Sequence, residues 1–330
     1  MNRTRSAATS HPFVPGILAL AIIVVLCASA RALPPRQETA AAQKQFELPP
    51  QAQRAIAQIY QGDPASALGA AEEMEKREPD QPLGYLIEAE ARWWRLYCSQ
   101  GEFRYGMVDL WQLPKGPEET AYMTAAQHAA ELGEQEIKQG ETAQAELWAG
   151  MRYALESRMY AAQGQKMATA RAGVEARTHL LRAIALDPKL ADANTGLGLY
   201  NYYVDTLSPI VKLLRIFLGI PGGSKQQGID QLRTAMQDGK ITGVEARFYL
   251  AKNLRTYDRN YAEALAVAQP LERDYPKNPI FLLLIGNLEM ELGRKAQAAA
   301  TLARIDALKI PDEACAERSR QLAQDLLQER

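Results

Sequence analysis

The stretch that decides the fold is residues 279–312, which read PIFLLLIGNLEMELGRKAQAAATLARIDALKIPD. Apolar residues recur at helical spacing on both sides of Gly293. Gly286 and Ala298 are small residues placed where two antiparallel helices would touch, and Pro311 follows the second helix. The stretch therefore predicts two closely packed helices joined by a tight turn.

The same phase recurs elsewhere in the chain. The matching residues are Gly62, Ala67 and Pro79, then Ala176, Leu180, Ala183, Asp187 and Pro188, and finally Ala264, Leu271 and Pro276. One helix pair cannot bury its apolar stripe alone, so we expect the pairs to stack on one another. Asp63 before Pro64, and Ser224 three residues before Gln227, are typical of helix starts. Strong helix formers dominate the composition and no long period-two alternation occurs, which predicts an all-α fold.

This repeat resembles the tetratricopeptide repeat, whose unit is about 34 residues. Ile285-Gly286 in the first helix, Gly293 at the turn and Ala298 in the second helix carry the resemblance. It extends over residues 244–278 and 174–203, is weaker over 48–81, and is lost across 82–165. Similarity to exported bacterial members of the family implies a right-handed superhelical array of antiparallel helix pairs, a TPR-like solenoid.

In that family the first helix of each pair lines a concave groove that binds protein or peptide. Carried over by repeat position, the resemblance implies a groove made of Asp192, Thr195, Leu199, Tyr202, Tyr203, Glu245, Phe248, Lys252, Arg255, Asn287, Met290 and Glu291. The mixture of apolar and charged side chains suits an extended peptide. It implies a non-catalytic protein-protein or peptide-binding scaffold in the cell envelope, with a partner of unknown identity.

The N-terminus indicates export. Residues 1–32 combine Arg3 and Arg5 with an apolar run over 17–28 and small residues at a cleavage position, so they are read as a signal peptide or an N-terminal membrane anchor. Residues 33–50 are rich in Pro, Gln and Ala and are predicted to be a linker. We expect the remainder, 51–330, to be the repeat domain, either periplasmic or anchored to the inner membrane but outside the cytoplasm.

The sequence offers no recognisable chemistry. A formal net charge of −1 lacks the basic excess of a nucleic-acid binder. His128 and His179 have no companion ligands at metal-binding spacing, so we predict no metal, no cofactor, no catalytic residues and no enzymatic activity. Cys98 and Cys315 would be far apart in an open solenoid, which favours two isolated buried thiols over a disulfide.

Two segments depart from the repeat. The pattern lapses over residues 99–118, an irregular insertion for which we expect a loop with a short helix around 108–111. The aromatic residues from Trp93 to Trp111 are expected to pack this loop onto the array, with ligand binding as the alternative.

The apolar helix 207–218 carries Lys212 and Arg215 on one face. It is favoured as a core helix with outward basic residues. The alternative is a membrane-surface-associated helical module.

Overall fold

The computed structural model describes residues 46–104 and 107–328, which are all-α apart from one short hairpin. The helices are α1 (Pro50–Tyr60), α2 (Pro64–Arg77), α3 (Pro82–Gln100), α4 (Pro117–Gln139), α5 (Ala143–Ala162), α6 (Lys166–Leu186), α7 (Ala193–Thr206), α8 (Pro209–Phe217), α9 (Lys225–Asp238), α10 (Gly243–Thr256), α11 (Tyr261–Asp274), α12 (Pro279–Glu291), α13 (Lys295–Ala307) and α14 (Glu313–Gln328). Between α3 and α4, strands β1 (Glu102–Arg104) and β2 (Met107–Asp109) pair antiparallel. The predicted short helix around 108–111 is wrong, because 107–109 pair as a strand.

Helix starts follow local chemistry. The Asp63 carboxylate accepts from the Ser66 amide at 3.1 Å, with Pro64 at the first helical position. The Ser224 hydroxyl accepts from the Gln227 amide at 3.3 Å. Each cap satisfies an amide that has no partner within its helix. Both caps confirm the starts predicted from sequence.

Packing proceeds in pairs along the chain. Helices α1 and α2, α3 and α4, α5 and α6, α7 and α9, α10 and α11, and α12 and α13 pack together, and each second helix packs on the next pair. Gly286 shows why small residues recur, because an added Cβ would lie 2.6 Å from the Leu302 side chain of the facing helix. Helix α8 is inserted between the two helices of its pair.

The region that lacks the repeat pattern has longer helices. Helices α3, α4 and α5 have 19, 23 and 20 residues, whereas α10 to α13 have 13 or 14. Longer helices shift the spacing between the small residues of successive pairs, which explains why the motif is lost there although the pairwise packing continues.

The last helices of the chain contact the first ones. Helix α14 packs on α3, and Cys98 and Cys315 form a disulfide with a Cα–Cα distance of 4.8 Å. The Asn278 side chain donates to the Tyr60 carbonyl at 3.0 Å, joining α12 to α1. Gly62 has φ +83°, and an added Cβ would meet the Lys277 carbonyl at 3.0 Å, so this turn requires glycine. The prediction of two isolated thiols is wrong, because α3 and α14 are neighbours in space.

The start of the described chain packs against the domain. The Phe46 ring lies 5.5 Å from the Trp148 ring, and Leu48 is buried, so the last residues of the predicted 33–50 linker belong to the folded body. The predicted signal or anchor at 1–32 lies outside the described residues. Among the helices described, none has the length and apolarity to cross a bilayer.

Candidate functional site

We call the inner face the surface formed by the first helices of the pairs, α1, α3, α5, α7, α10 and α12. The predicted groove residues lie on its α7, α10 and α12 portion, and most are covered. Buried are Asp192, Thr195, Tyr202, Phe248, Lys252, Arg255 and Asn287; half-buried are Leu199, Tyr203, Glu245 and Met290; Glu291 is exposed. Their role in binding stays a prediction, and in this structure the buried ones contact the chain itself.

Aromatic side chains from opposite parts of the array fill the inner face. The Trp94 ring of α3 lies 5.1 Å from Phe248 of α10 and 5.5 Å from Phe281 of α12. The Tyr97 ring lies 5.7 Å from Phe248. These edge-to-face contacts make the α3 aromatics core residues that hold the two halves of the array together.

Two predicted groove residues have a structural role at a turn. The Asp192 carboxylate accepts from the amides of Ile241 and Thr242, both at 2.8 Å. The Thr195 hydroxyl donates to the Thr242 hydroxyl at 2.7 Å. They fix the connection between α9 and α10.

An ion network of largely covered side chains joins three helix pairs. Arg158 of α5 lies 2.7 Å from Glu90 of α3 and 2.6 Å from Glu245 of α10, and its guanidinium stacks 4.2 Å from the Trp93 ring centre. Two carboxylates thus share one cation. Burial, reinforced by the neighbouring Glu90 charge, raises the pKa of Glu245 to about 8. Glu90 and Glu245 both contact Arg158, so their carboxyl oxygens are engaged in this ion network.

A second buried cation holds the hairpin. Lys252 of α10 is 7% exposed, and its ammonium lies 2.7 Å from the Asp109 carboxylate of β2. The ammonium also lies 5.3 Å from the Tyr97 ring centre and 5.7 Å from that of Tyr249. An aromatic cage with one carboxylate partner stabilises a lysine that would otherwise be costly to bury.

Helix α8 presents apolar side chains to solvent. Leu213, Ile216 and Leu218 are 56%, 64% and 56% exposed. The basic residues of the helix are bound by neighbouring segments: Lys212 pairs with Asp205 at 2.9 Å, and Arg215 donates to the Ile220 carbonyl at 2.8 Å. The core-helix interpretation is therefore wrong for these three apolar side chains.

Helix α8 is fixed to the array at its base. Besides pairing with Lys212, the Asp205 carboxylate accepts from the Lys225 amide at 2.9 Å. The Lys225 ammonium in turn pairs with Asp258, beyond the end of α10. Tyr257, which is 53% exposed, lies 6.0 Å from Tyr203 at this end of α10. Ion pairs and hydrogen bonds therefore attach the segment with the exposed apolar side chains to the rest of the array.

An open cleft of about 780 Å³ lies between α3 and α4, with Tyr85, Glu88, Thr120 and His128 among its lining residues. The His128 ring lies 4.3 Å from the Tyr85 ring. His179 instead lies 2.7 Å from Glu146. Over the described part of the chain, no three His, Cys, Asp or Glu side chains are grouped to hold a metal.

Sequence reasoning missed Arg158 and Glu90, because they lie where the repeat pattern is lost. Their helices carry no motif that would place them on the inner face. Other charged residues lie close by in sequence, such as Glu88 near Glu90 and Glu156 near Arg158, so charge alone does not distinguish these two. No protein-family model matches this sequence, and no curated protein matches it.

Proposed function

We propose that the protein is a non-catalytic scaffold that binds a protein partner, built as a TPR-like solenoid wound until its ends meet. The observation that carries the proposal is the exposed apolar surface of α8, defined by Leu213 and Ile216 together with Leu218 directly after the helix. The inner face is filled by the chain itself, so the accessible apolar surface of α8 replaces the predicted groove as the first contact surface. A short helix with i, i+3 apolar anchors suits a hydrophobic groove on a partner.

Covering these apolar side chains would contribute to the affinity for a partner. Fully burying one large aliphatic side chain contributes about 1.5–3 kcal/mol. Leu213, Ile216 and Leu218 are each more than half exposed, so covering all three contributes about 4 kcal/mol. That corresponds to roughly a thousandfold in affinity.

The disulfide supports an exported location. Cys98–Cys315 joins α3 to α14, and such bonds persist in oxidising compartments. Together with the predicted signal or anchor at 1–32, it favours a protein that is periplasmic, or anchored to the inner membrane with its helical domain outside the cytoplasm.

The test is capture of a partner from envelope extract by the full chain. Leu213→Asp with Ile216→Asp should lose the captured protein. The matched control is Met167→Asp with Leu181→Asp on α6, which replaces two apolar residues of 48% and 40% exposure with the same added charge. Equal capture by both variants, or no specific capture by the unaltered chain, would contradict a docking role for α8.

A second candidate is binding to a membrane surface through the same helix. It is favoured because Lys212 and Arg215 are bound to Asp205 and to the Ile220 carbonyl, while the apolar side chains beside them are exposed to solvent. Because those basic residues are already engaged, we expect binding to depend little on anionic lipid. Flotation of the chain lacking 1–32 with neutral and anionic vesicles tests this, and protein that stays at the bottom of both gradients rules it out.

A further inference from the structure

The segment 107–113, which reads MVDLWQL, runs in contact with several parts of the inner face. The Tyr97 hydroxyl of α3 donates to the Val108 carbonyl, and the Leu113 amide donates to the Ala162 carbonyl of α5 at 3.0 Å. Asp109 pairs with Lys252 of α10, and β2 also packs on α12. One short segment therefore contacts four different helix pairs.

These contacts are of the kind that hold an extended peptide. Main-chain groups are hydrogen-bonded, one carboxylate meets a buried cation, and apolar side chains fill pockets. Met107, Val108, Leu110 and Leu113 are all buried. The carboxylate is the only charge in the segment, and it pairs with Lys252, whose ammonium lies near the rings of Tyr97 and Tyr249. The Asp109 side chain itself is 44% exposed.

The segment leaves the interior at Trp111 and Gln112. Trp111 is 41% exposed, and Gln112 adopts φ +49°, a left-handed conformation that is uncommon for a residue other than glycine. Such strain persists only where the surroundings impose it, and it is concentrated at functional sites. The strained turn lies next to the buried contacts, so releasing those contacts would also relieve the backbone.

We infer that residues 107–113 are an internal ligand of the inner face, and that the face accepts in its place an extended peptide with an acidic residue between bulky apolar residues. The partner peptide would take over the contact with Lys252 while residues 107–113 are displaced. This inference rests on the proposed role as a binding scaffold, but it concerns a surface separate from α8.

The experiment uses a fluorescent peptide of sequence MVDLWQL and the full chain, with fluorescence anisotropy as the readout. Asp109→Asn removes the carboxylate partner of the buried Lys252, and the Asp109 side chain is 44% exposed, so the lost ion pair is a partly solvated one. The peptide should therefore bind this variant several-fold more tightly than the unaltered protein. A control peptide with Lys in place of Asp should bind neither, and Lys252→Met should remove binding altogether.

A measurement on the unaltered protein covers the case in which Asp109→Asn fails to fold. Adding excess MVDLWQL peptide should speed amide hydrogen exchange in the 107–113 segment, whereas the Lys-containing peptide should not. Unchanged exchange there, or equal binding of both peptides to a folded Asp109→Asn protein, would overturn the inference. Capture of a partner through α8 is measured separately, so failure of either proposal is distinguishable from failure of the other.

Discussion

The disulfide between α3 and α14 should contribute a large share of the stability of the closed array. Reducing Cys98–Cys315 leaves every residue in place but removes a constraint that joins positions 217 residues apart. The main effect falls on the unfolded chain, because the crosslink removes conformations that only an open chain can adopt. The folded array keeps the noncovalent contacts between α3 and α14 in either redox state.

The magnitude follows from the loop length. For a sequence separation of 217 residues, the chain-entropy relation gives about 5 kcal/mol at 25 °C. With a urea m-value of about 3 kcal/mol per molar, the unfolding midpoint should fall by roughly 1.7 M on reduction. This is a large part of the 5–15 kcal/mol typical of a folded protein.

The assay is urea unfolding of the full chain, followed by circular dichroism with and without a reductant. Cys315→Ala is the matched control, because it lacks the crosslink in both conditions and its midpoint should not respond to the reductant. A shift below about 0.3 M in the unaltered protein, or an equal shift in Cys315→Ala, would refute the reasoning that the crosslink stabilises through loop closure.

Three further predictions concern the interior. Because the pKa of Glu245 is raised to about 8, the folded state retains a proton that the unfolded chain releases above pH 4.5, so stability should fall as pH rises from about 4.5 to 8. In urea unfolding, the slope of the free energy of unfolding against pH should be smaller for Glu245→Gln by up to about 1.4 kcal/mol per pH unit. An unchanged slope would contradict the raised pKa. Arg158→Met should cost about 3–5 kcal/mol at pH 8, because it leaves the largely covered Glu90 carboxylate without its cation and removes the hydrogen-bond donor of Glu245; a cost below about 1 kcal/mol in urea titration at that pH would argue against the network. Gly228→Ala should destabilise by about 1–3 kcal/mol, since its Cβ would lie 2.6 Å from backbone of α7. Gly69→Ala, at an exposed helical site with nothing within 4 Å, should instead gain up to about 1 kcal/mol in thermal unfolding; changes of the same sign would contradict this packing argument.

The helix pairs could be predicted because local residues determine them. Gly286 must lie against Leu302, and Asp63 caps its own helix, so short-range pattern and chemistry are sufficient. The apolar helix at 207–218 was predicted for the same reason. Its orientation was not, because it depends on Asp205 and the Ile220 carbonyl, which hold the basic residues toward the array.

Contacts between residues distant in sequence could not be predicted from the sequence alone. The pairing of Cys98 with Cys315 joins helices 217 residues apart in sequence, and no local motif encodes which distant helices meet. A second long-range contact joins Trp94 of α3 to Phe248 of α10, and most of the predicted groove residues are buried. Repeat position places the predicted groove residues on the inner face. Whether a partner can reach that face depends on contacts between helices that are distant in sequence.

Closure by α14 also sets an order of events during folding. A helix pair can form as soon as its own residues are available, whereas the Cys98 thiol must wait until 217 further residues have been made. Until α10 and α12 have been made, Trp94 and Tyr97 lack the Phe248 and Phe281 rings that those helices supply, and they remain open to wrong contacts. Contacts between such distant residues slow folding because a long loop must close first. The fold is thus completed only after the last helix has been made. Chains that stop before Cys315 should accumulate as aggregation-prone intermediates rather than as a shorter stable array.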